Sequence, residues 1–304
     1  MLLIILGPTA SGKTRLAVQV AHQLGGEIIS ADSRQVYRGM DIGTGKDLSE
    51  YVIDGQAIPY HLIDGVDAGD DYNLHRYQQD FHRAVADVEG RGRIPVVCGG
   101  TGLYIEAVLK GHAFTAIPID DALRADLETL TDPELLNRFM LTPSPYTPLA
   151  DTSTRKRLIR AIEIGAYLTA HPETAIQSTA PAYNYQIFGI DLPVEIRRQR
   201  ITARLHERLA NGMIAEVERL LHEGVPANKL VFYGLEYKFI TQYVTGELDY
   251  PTMTSRLETA IHQFAKRQMT FFRKMERDGL PIQWLDGLQP LPTLVRTVDE
   301  LLKK

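Results

Sequence analysis

The stretch that decides the fold is residues 2–14, LLIILGPTASGKT. The five apolar residues at 2–6 predict a strand that is buried on both faces of a parallel sheet. Residues 7–14 fit the pattern G-x-x-x-x-G-K-[ST], which is a phosphate-binding loop when it lies between a strand and a helix. Glycines let backbone N–H groups surround a phosphate, and the helix N-terminus adds positive potential. We therefore predict that this loop binds a diphosphate or a larger polyphosphate.

Apolar runs and helix-period segments alternate along much of the chain. Further strands are predicted at 27–31, 94–98, 185–192 and 281–285, and helices are predicted between the early strands and at 194–223, 233–245 and 252–277. This alternation is typical of a doubly wound parallel sheet. The predicted fold class is α/β, a P-loop NTPase-like parallel sheet flanked by helices, with a mainly helical inserted domain.

The inserted domain is predicted from a change in composition near residue 112. Strand patterns disappear there, and prolines cluster in TPSPYTPLADTS, residues 142–153, before a predicted helix at 154–169. We predict a catalytic core formed by residues 1–111 and 187–304, and a helical insertion at 112–186.

Overall composition restricts the possible functions only slightly. The net charge is −5, so nucleic-acid binding would depend on local basic patches. Cys98 is the only cysteine, which excludes an internal disulfide and a Cys-rich zinc site. No apolar stretch approaches the roughly 20 residues that span a bilayer. We expect a cytoplasmic protein that does not enter a membrane.

The loop motif alone does not say whether the ligand is ATP. ATP-binding enzymes of this kind usually hold Mg²⁺ with an acidic residue at the end of a further strand, but the third predicted strand ends in Cys98-Gly99-Gly100-Thr101. Asp32 is the only acid at a predicted strand end. It could accept a proton from a nucleophile beside a bound diphosphate, or hold a Mg²⁺-bound water as in a kinase. Thr101 could face the same crevice or simply cap a helix.

Basic residues cluster in three places in the second half of the chain. The first turns of one helix carry Arg155, Lys156, Arg157 and Arg160, where the helix dipole disfavours each cation by about 0.3–1 kcal/mol. A later helix carries the stripe Arg197, Arg200, Arg204 and Arg208, and residues 255–277 hold six basic side chains against two acidic ones. Any one cluster is compatible with a solvated face that forms local ion pairs. Together the three clusters favour a polyanionic partner.

Six motifs occur in order along the chain and carry a family resemblance. They are GPTASGKT (7–14), ISADSRQVYRGMDIGTGK (29–46), PYHLID (59–64), VVCGGTGLYIEAVLKG (96–111), RAIEI (160–164) and AKRQMTFFRK (265–274). With these motifs the chain resembles the tRNA dimethylallyltransferases, also called tRNA isopentenyltransferases. The resemblance implies that the loop holds the diphosphate of dimethylallyl diphosphate. It also implies that the prenyl group is transferred to N6 of the adenosine 3′-adjacent to the anticodon.

The resemblance also implies roles for individual residues. Asp32 would be the general base, Thr101 would assist departure of the diphosphate, and Arg204 would match an essential arginine. The diphosphate-binding residues would be Gly7, Pro8, Thr9, Ala10, Ser11, Gly12, Lys13 and Thr14, and Thr14 would also ligate the cofactor Mg²⁺. The tRNA-binding residues would be Ser33, Arg34, Gln35, Arg124, Lys156, Arg157, Leu158, Ile159 and Arg160. The helical insertion would grip the tRNA anticodon arm, and we expect a monomer.

Three segments depart from the pattern of the family. Residues 149–153 read LADTS where HPND is usual, Glu236 replaces a glycine, and Ile261-His262 replace a threonine-arginine pair. These departures bear on the grip on tRNA more than on the class of reaction. Three alternative functions remain at this point: an adenylate isopentenyltransferase, a P-loop kinase acting on a small metabolite, and an RNA-binding module without turnover.

Overall fold

The computed structural model describes residues 1–172 and 181–303. Its central feature is a six-stranded sheet in which every neighbouring pair is parallel, in the order β5-β2-β6-β1-β7-β8. The strands are β1 (Leu2–Leu6), β2 (Glu27–Ser30), β3 (Val52–Ile53), β4 (Gln56–Ala57), β5 (Tyr60–His61), β6 (Pro95–Gly99), β7 (Tyr185–Asp191) and β8 (Gln283–Asp286). Strands β3 and β4 form a separate antiparallel pair. The predicted α/β fold with a parallel sheet is confirmed.

Helices connect the strands and follow them. They are α1 (Lys13–Leu24), α2 (Leu74–Gly90), α3 (Gly102–Lys110), α4 (Asp121–Glu128), α5 (Asp132–Leu141), α6 (Arg155–Ala170), α7 (Val194–Ala210), α8 (Met213–His222), α9 (Ala227–Phe232), α10 (Leu235–Val244), α11 (Tyr250–Arg277) and α12 (Leu291–Leu302). Short 3₁₀ turns lie at Leu48–Tyr51, Ala113–Ala116 and Thr147–Leu149. Within the described ranges, no helix has the length and apolarity needed to cross a membrane.

The core lies on both faces of β1, as the apolar run at 2–6 predicts. Leu2, Ile4 and Leu6 pack on one face, in a cluster that includes residues of α2, α3 and α11. Leu3 and Ile5 pack on the other face, against α1 and α12. All five side chains are fully buried. Strand β1 pairs with β6 on one edge and β7 on the other and is covered on both faces. The start of the loop that follows it is therefore held in a fixed position.

Several predicted helix boundaries were wrong, for reasons of backbone geometry. The single helix predicted at 194–223 is two helices, because Gly212 has a φ of 97° and begins α8. The helix predicted from 233 begins at Leu235, after Gly234 with a φ of 142°. The helix predicted from 252 begins at Tyr250, since the Asp249 side chain accepts a hydrogen bond from Thr252 N and caps it. Periodicity shows that a helix exists but marks its ends poorly.

The chain divides into two compact units, Met1–Lys110 with Pro181–Lys304, and Gly111–Ala180. We had predicted the division at 112 and 186. The first unit contains the six-stranded sheet. The second unit contains α4, α5 and α6, which pack around Leu127, Leu135, Phe139, Leu158 and Ile162.

A buried carboxylate organises the polar side of the second unit. Glu163 on α6 is 2% exposed. Its Oε1 and Oε2 each accept a 3.0 Å hydrogen bond from Arg124, and it also accepts one from Asp120 N and pairs with Arg160. Burial on its own raises the pKa of Glu163, but the hydrogen bonds from Arg160, Arg124 and Asp120 outweigh it and lower the pKa. Glu163 therefore joins α4, α6 and the segment before α4.

We expect Glu163→Ala to destabilise the second unit by about 3 kcal/mol, because it leaves two arginines without their buried partner. The exposed Glu128, which pairs with Arg155, provides the control: Glu128→Ala should cost at most about 1 kcal/mol. The folded-state pKa of Glu163 is lowered, so ionised Glu163 stabilises the folded unit. This stabilisation is fully present above the unfolded-state pKa and is lost as pH falls through the folded-state pKa.

Amide hydrogen exchange of α4–α6 in the full chain measures the effect of the substitutions at pH 7 and the effect of acid on the unchanged protein. Equal protection in the two variants at pH 7 would contradict this role.

Candidate active site

The phosphate-binding loop has the backbone that its glycines predict. Gly12 has a φ of 89° and immediately precedes α1, and Ala10 also has a positive φ of 61°. A Cβ on Gly7 would lie 2.6 Å from the Ser11 hydroxyl oxygen, so a larger residue would require the Ser11 side chain to move. No described side chain caps the N-terminus of α1. The first N–H groups of α1 are therefore available to an anion.

Three cations surround this loop. Burial lowers the pKa of Lys13, and burial together with the neighbouring Arg208 lowers the pKa of Arg204 to about 10. Both side chains stay protonated near neutral pH only at an electrostatic cost, which a bound anion would remove. Arg204 donates a hydrogen bond to the Thr9 hydroxyl, and Arg208 pairs with Asp47 at 2.9 Å. The positive charge therefore exceeds the negative charge at the point where the loop would hold a diphosphate.

Asp32 and Thr101 lie together at the carboxyl ends of β2 and β6. Thr101 N donates to the Ala31 carbonyl at 3.1 Å, and Ser33 N donates to the Thr101 hydroxyl at 3.1 Å. Asp32 Oδ1 accepts from Arg34 N at 2.9 Å, while Oδ2 accepts no hydrogen bond from any described residue. The second carboxylate oxygen is thus available to a ligand. The Thr101 hydroxyl connects two loops.

The predicted nucleotide contacts Arg34 and Gln35 have partners within the protein. Gln35 accepts from the Ser30 hydroxyl and donates to the Gly45 carbonyl, each at 3.0 Å. The Arg34 guanidinium carbon lies 5.6 Å from the centre of the Phe232 ring. Both side chains also line the site cavity. The two hydrogen bonds orient Gln35, and the role of these residues in RNA binding stays a prediction.

A buried amide that we did not predict connects the two loops of the site. Gln268 on α11 is 7% exposed. Its Oε1 accepts from Thr9 N at 2.9 Å, and its Nε2 donates to the Gly100 carbonyl at 2.9 Å. Gln268 thus joins the phosphate-binding loop to the loop that carries Thr101. The available signal was a glutamine on the apolar side of an amphipathic helix, since a buried amide must find partners.

The cavity at the centre of these residues has a volume of about 450 Å³. Polar groups from the phosphate-binding loop and from the β2 and β6 ends line part of it. Apolar side chains line another part: Leu103, Leu235, Ile261, Phe264 and Phe271. A ligand that joins a diphosphate to a short hydrocarbon chain matches this division, because its charge and its apolar surface each meet a complementary wall.

Glu236 is a second site residue that the sequence did not assign to the site. It lines the same cavity, and burial raises its pKa, partly offset by a hydrogen bond from its own backbone N–H and by Arg208 and Arg204. The sequence signal was only that a carboxylate stands at a position where glycine is usual. The structure places this carboxylate beside the cations of the site.

The oxygen donors of the site are compatible with Mg²⁺. Thr14 and Asp32 both line the cavity. Among residues 1–172 and 181–303, no group of three or more His, Cys, Asp or Glu side chains is arranged to hold a metal. Mg²⁺ usually takes one or two protein ligands and completes its shell with water and substrate phosphates. Thr14 therefore fits as a ligand only together with a bound diphosphate.

The predicted tRNA-binding residues of the second unit differ in how far their side chains are exposed to solvent. Leu158 and Ile159 are 5% and 4% exposed and belong to the core, so their side chains are not accessible to RNA. Arg124 and Arg160 are both engaged by Glu163. They share this one carboxylate, so Glu163 compensates one of their two positive charges.

Lys156 and Arg157 are the exposed members of the set. Arg157 pairs with Asp151 at 2.7 Å, and the described residues offer Lys156 no ion pair. These two side chains can reach an RNA backbone without breaking the core of the unit.

We expect Gln268→Met to weaken binding of inorganic diphosphate to the phosphate-binding loop roughly tenfold, because it removes both hydrogen bonds and leaves Thr9 N and the Gly100 carbonyl unpaired. Gln268→Glu keeps the acceptor for Thr9 N and should have a smaller effect. The exposed Gln79 on α2 provides the control Gln79→Met. Calorimetric titration measures the three affinities, and an unchanged affinity in Gln268→Met would contradict the connection.

Comparisons with known proteins identify the family of this chain. The family model described as IPP transferase matches residues 35–275, and one described as isopentenyl transferase matches residues 1–61. The chain is 54% identical to tRNA dimethylallyltransferase 1 of Porphyromonas gingivalis, over 95% of each chain, and 50% identical to tRNA dimethylallyltransferase 2 of Bacteroides fragilis, over 100% of this chain and 98% of the relative. A crystal structure of tRNA isopentenylpyrophosphate transferase from Bacillus halodurans aligns with a TM-score of 0.71 and 28% identity, over 99% of this chain and 95% of that one. This chain therefore belongs to the IPP transferase family.

Proposed function

We propose that this protein transfers a dimethylallyl group from dimethylallyl diphosphate to N6 of the adenosine 3′-adjacent to the anticodon in tRNA. The observation that carries the proposal is the cavity in which a phosphate cradle, an apolar wall and a carboxylate with a free oxygen meet. Family membership and the names of the similar proteins support the same reaction.

The phosphate-binding loop would act on the leaving group. In the reaction the bond between the allylic carbon and the diphosphate oxygen breaks, a bond from N6 to that carbon forms, and diphosphate leaves with the electron pair. Lys13, Arg204 and the N-terminus of α1 would stabilise the growing charge on the diphosphate. Mg²⁺, held by Thr14 together with phosphate oxygens, would supply further neutralisation.

Asp32 would accept the proton that N6 loses. Asp32 lines the cavity, its Oδ1 is fixed by Arg34 N, and its Oδ2 accepts no hydrogen bond from any described residue. The Thr101 hydroxyl accepts from Ser33 N at 3.1 Å and donates to the Ser33 hydroxyl over a long 3.5 Å contact, which a better acceptor would displace. It would donate a hydrogen bond to an oxygen of the departing diphosphate while keeping its proton.

The target adenine has to leave the base stack to reach an enclosed donor. Ser33, Arg34 and Gln35 line the cavity beside Asp32 and would contact the extruded nucleotide. Lys156 and Arg157 of the second unit would contact backbone phosphates of the anticodon arm. We further propose that the protein acts as a monomer in the cytoplasm.

The direct test gives the purified protein dimethylallyl diphosphate, Mg²⁺ and unmodified tRNA, and measures prenylated adenosine in the nuclease digest by mass spectrometry. Parallel reactions replace tRNA by AMP, or the donor by ATP. Prenylated tRNA is the expected product. Product from AMP alone would favour the adenylate isopentenyltransferase, consumption of ATP would favour a kinase, and tRNA binding without product would favour an RNA-binding module.

We expect Asp32→Asn to lower the turnover number about 10²–10⁴-fold, because the amide cannot accept the N6 proton. The affinities for diphosphate and tRNA should stay close to those of the unchanged protein, since Asn keeps the shape and the acceptor for Arg34 N. Asp87→Asn, at an exposed position on α2, is the control and should be fully active. Single-turnover kinetics separate the chemical step from binding, and a normal rate in Asp32→Asn would assign the base elsewhere.

We expect Lys156→Ala and Arg157→Ala each to weaken tRNA binding and to reduce the slope of log Kd against log salt by about 1, because each removes one phosphate contact. The exposed Lys303 pairs with Asp299 in the first unit, and Lys303→Ala should leave the slope unchanged. Filter binding over a range of salt concentrations measures the slopes. Equal slopes in all variants would remove these residues from the interface.

A further inference from the structure

A second cleft in the first unit shares no lining residue with the active-site cavity. Its volume is about 1130 Å³, and it lies among the carboxyl ends of β7 and β8, the N-terminus of α7 and one face of α11. The residues of α11 that face the active site, such as Gln268 and Phe271, are absent from its wall. This cleft has no part in the mechanism proposed above.

Arg197 is the unusual group in the wall of this cleft. Its side chain is 8% exposed, yet it forms no ion pair and no hydrogen bond through its guanidinium with any residue that the structure describes. Most of the residue is buried, but its guanidinium has no partner among the described residues and reaches the open cleft, where an anion can pair with it. The guanidinium, which lines the cleft, is therefore available to an anion.

The surroundings of Arg197 add positive charge to the cleft. Lys266 and Arg273 line it from α11 and have no ion pair among the described residues, and Arg198 donates to His262 Nδ1 at 3.2 Å. No described side chain caps the N-terminus of α7, which begins at Val194. The helix dipole therefore also favours an anion at this end of the cleft.

Three carboxylates line the cleft as well, but each is held by another group. Asp191 accepts from Leu192 N at 2.9 Å, Glu258 accepts from the Thr202 hydroxyl, and Asp286 accepts from Leu288 N at 3.0 Å. None of them lies within ion-pair distance of Arg197 in the described part of the chain. They keep their negative charges but form no ion pair with Arg197, so the charged lining groups are four cations and three carboxylates.

We infer that this cleft is a second anion site, built around Arg197, that takes a phosphate group. A planar guanidinium binds two phosphate oxygens at once, and Lys266 and Arg273 add point charges on the same wall. The phosphate belongs either to free diphosphate or to the backbone of a bound RNA. The RNA source rests on the proposed function, whereas binding of free diphosphate does not.

Trp284 makes the inference directly testable. It is the only tryptophan of the chain and lines the cleft, so its fluorescence reports on this cleft. Inorganic diphosphate is titrated into Lys13→Ala protein, in which the phosphate-binding loop is disabled. We expect a saturable change in emission, weakened at least tenfold when Arg197→Met is added and partly retained with Arg197→Lys. No change in Lys13→Ala protein, or a change that persists with Arg197→Met, would overturn the inference.

Thermal unfolding separates anion binding from a structural role. Without ligand, Arg197→Met should be about as stable as the unchanged protein, because the guanidinium has no partner among the described residues to lose. In the Lys13→Ala background it should also lose the rise in Tm that diphosphate causes. Arg256→Met, at an exposed position on α11 outside the cleft, should keep that rise. A lower Tm without ligand together with a normal diphosphate shift would make Arg197 a structural residue and overturn the inference.

The salt dependence of tRNA binding identifies the source of the phosphate. If the cleft holds an RNA phosphate, Arg197→Met reduces the slope of log Kd against log salt by about 1. An unchanged slope, with the fluorescence response to diphosphate lost, supports free diphosphate as the ligand. If Arg197→Met changes neither the salt slope of tRNA binding nor the fluorescence response to diphosphate, both sources of the phosphate are contradicted. Neither readout requires turnover, so the result stands apart from the success or failure of the proposed reaction.

Discussion

The burial of β1 on both faces is the constraint on which the rest of the structure depends. Leu2–Leu6 are fully buried and pair with β6 on one side and β7 on the other. A strand held in this way cannot shift its register without exposing one set of apolar side chains. The phosphate-binding loop begins at the end of this strand, so the position of its first residue is fixed. Gln268 then fixes the middle of the loop by accepting a hydrogen bond from Thr9 N.

The site concentrates cations that the folded chain alone does not neutralise. Lys13 and Arg204 have lowered pKa values because burial disfavours their charged forms, and Asp47 pairs with Arg208 only. Such an arrangement is unfavourable in the free protein and becomes favourable when a diphosphate is bound. In the proposed reaction, these charges would stabilise the leaving diphosphate. Arg197 in the second cleft is likewise a cation whose guanidinium has no acidic partner among the described residues.

The basic residues of α6 show how one cluster divides between folding and binding. Arg160, together with Arg124 of α4, pairs with the buried Glu163 and so stabilises the second unit. Arg155 pairs with Glu128 and Asp132. Lys156 and Arg157 project from the same turns into solvent. Local ion pairs therefore explain Arg155, Arg157 and Arg160, and Lys156 is the member without an ion pair among the described residues.

The sequence by itself determined the parallel sheet, the phosphate-binding loop and the position of Asp32 after the second strand, because each depends on a local pattern of apolar residues and glycines. It also determined the resemblance to a family, since six motifs occur in one order. Only the tertiary structure decided which distant side chains meet: Gln268 with Thr9 and Gly100, Glu236 with the arginines, and Leu158 with the core of its unit. These contacts join residues far apart in the chain, and a local pattern carries no information on their partners. Burial likewise decides whether a charge such as Arg197 is compensated, and burial exists only once the chain has folded.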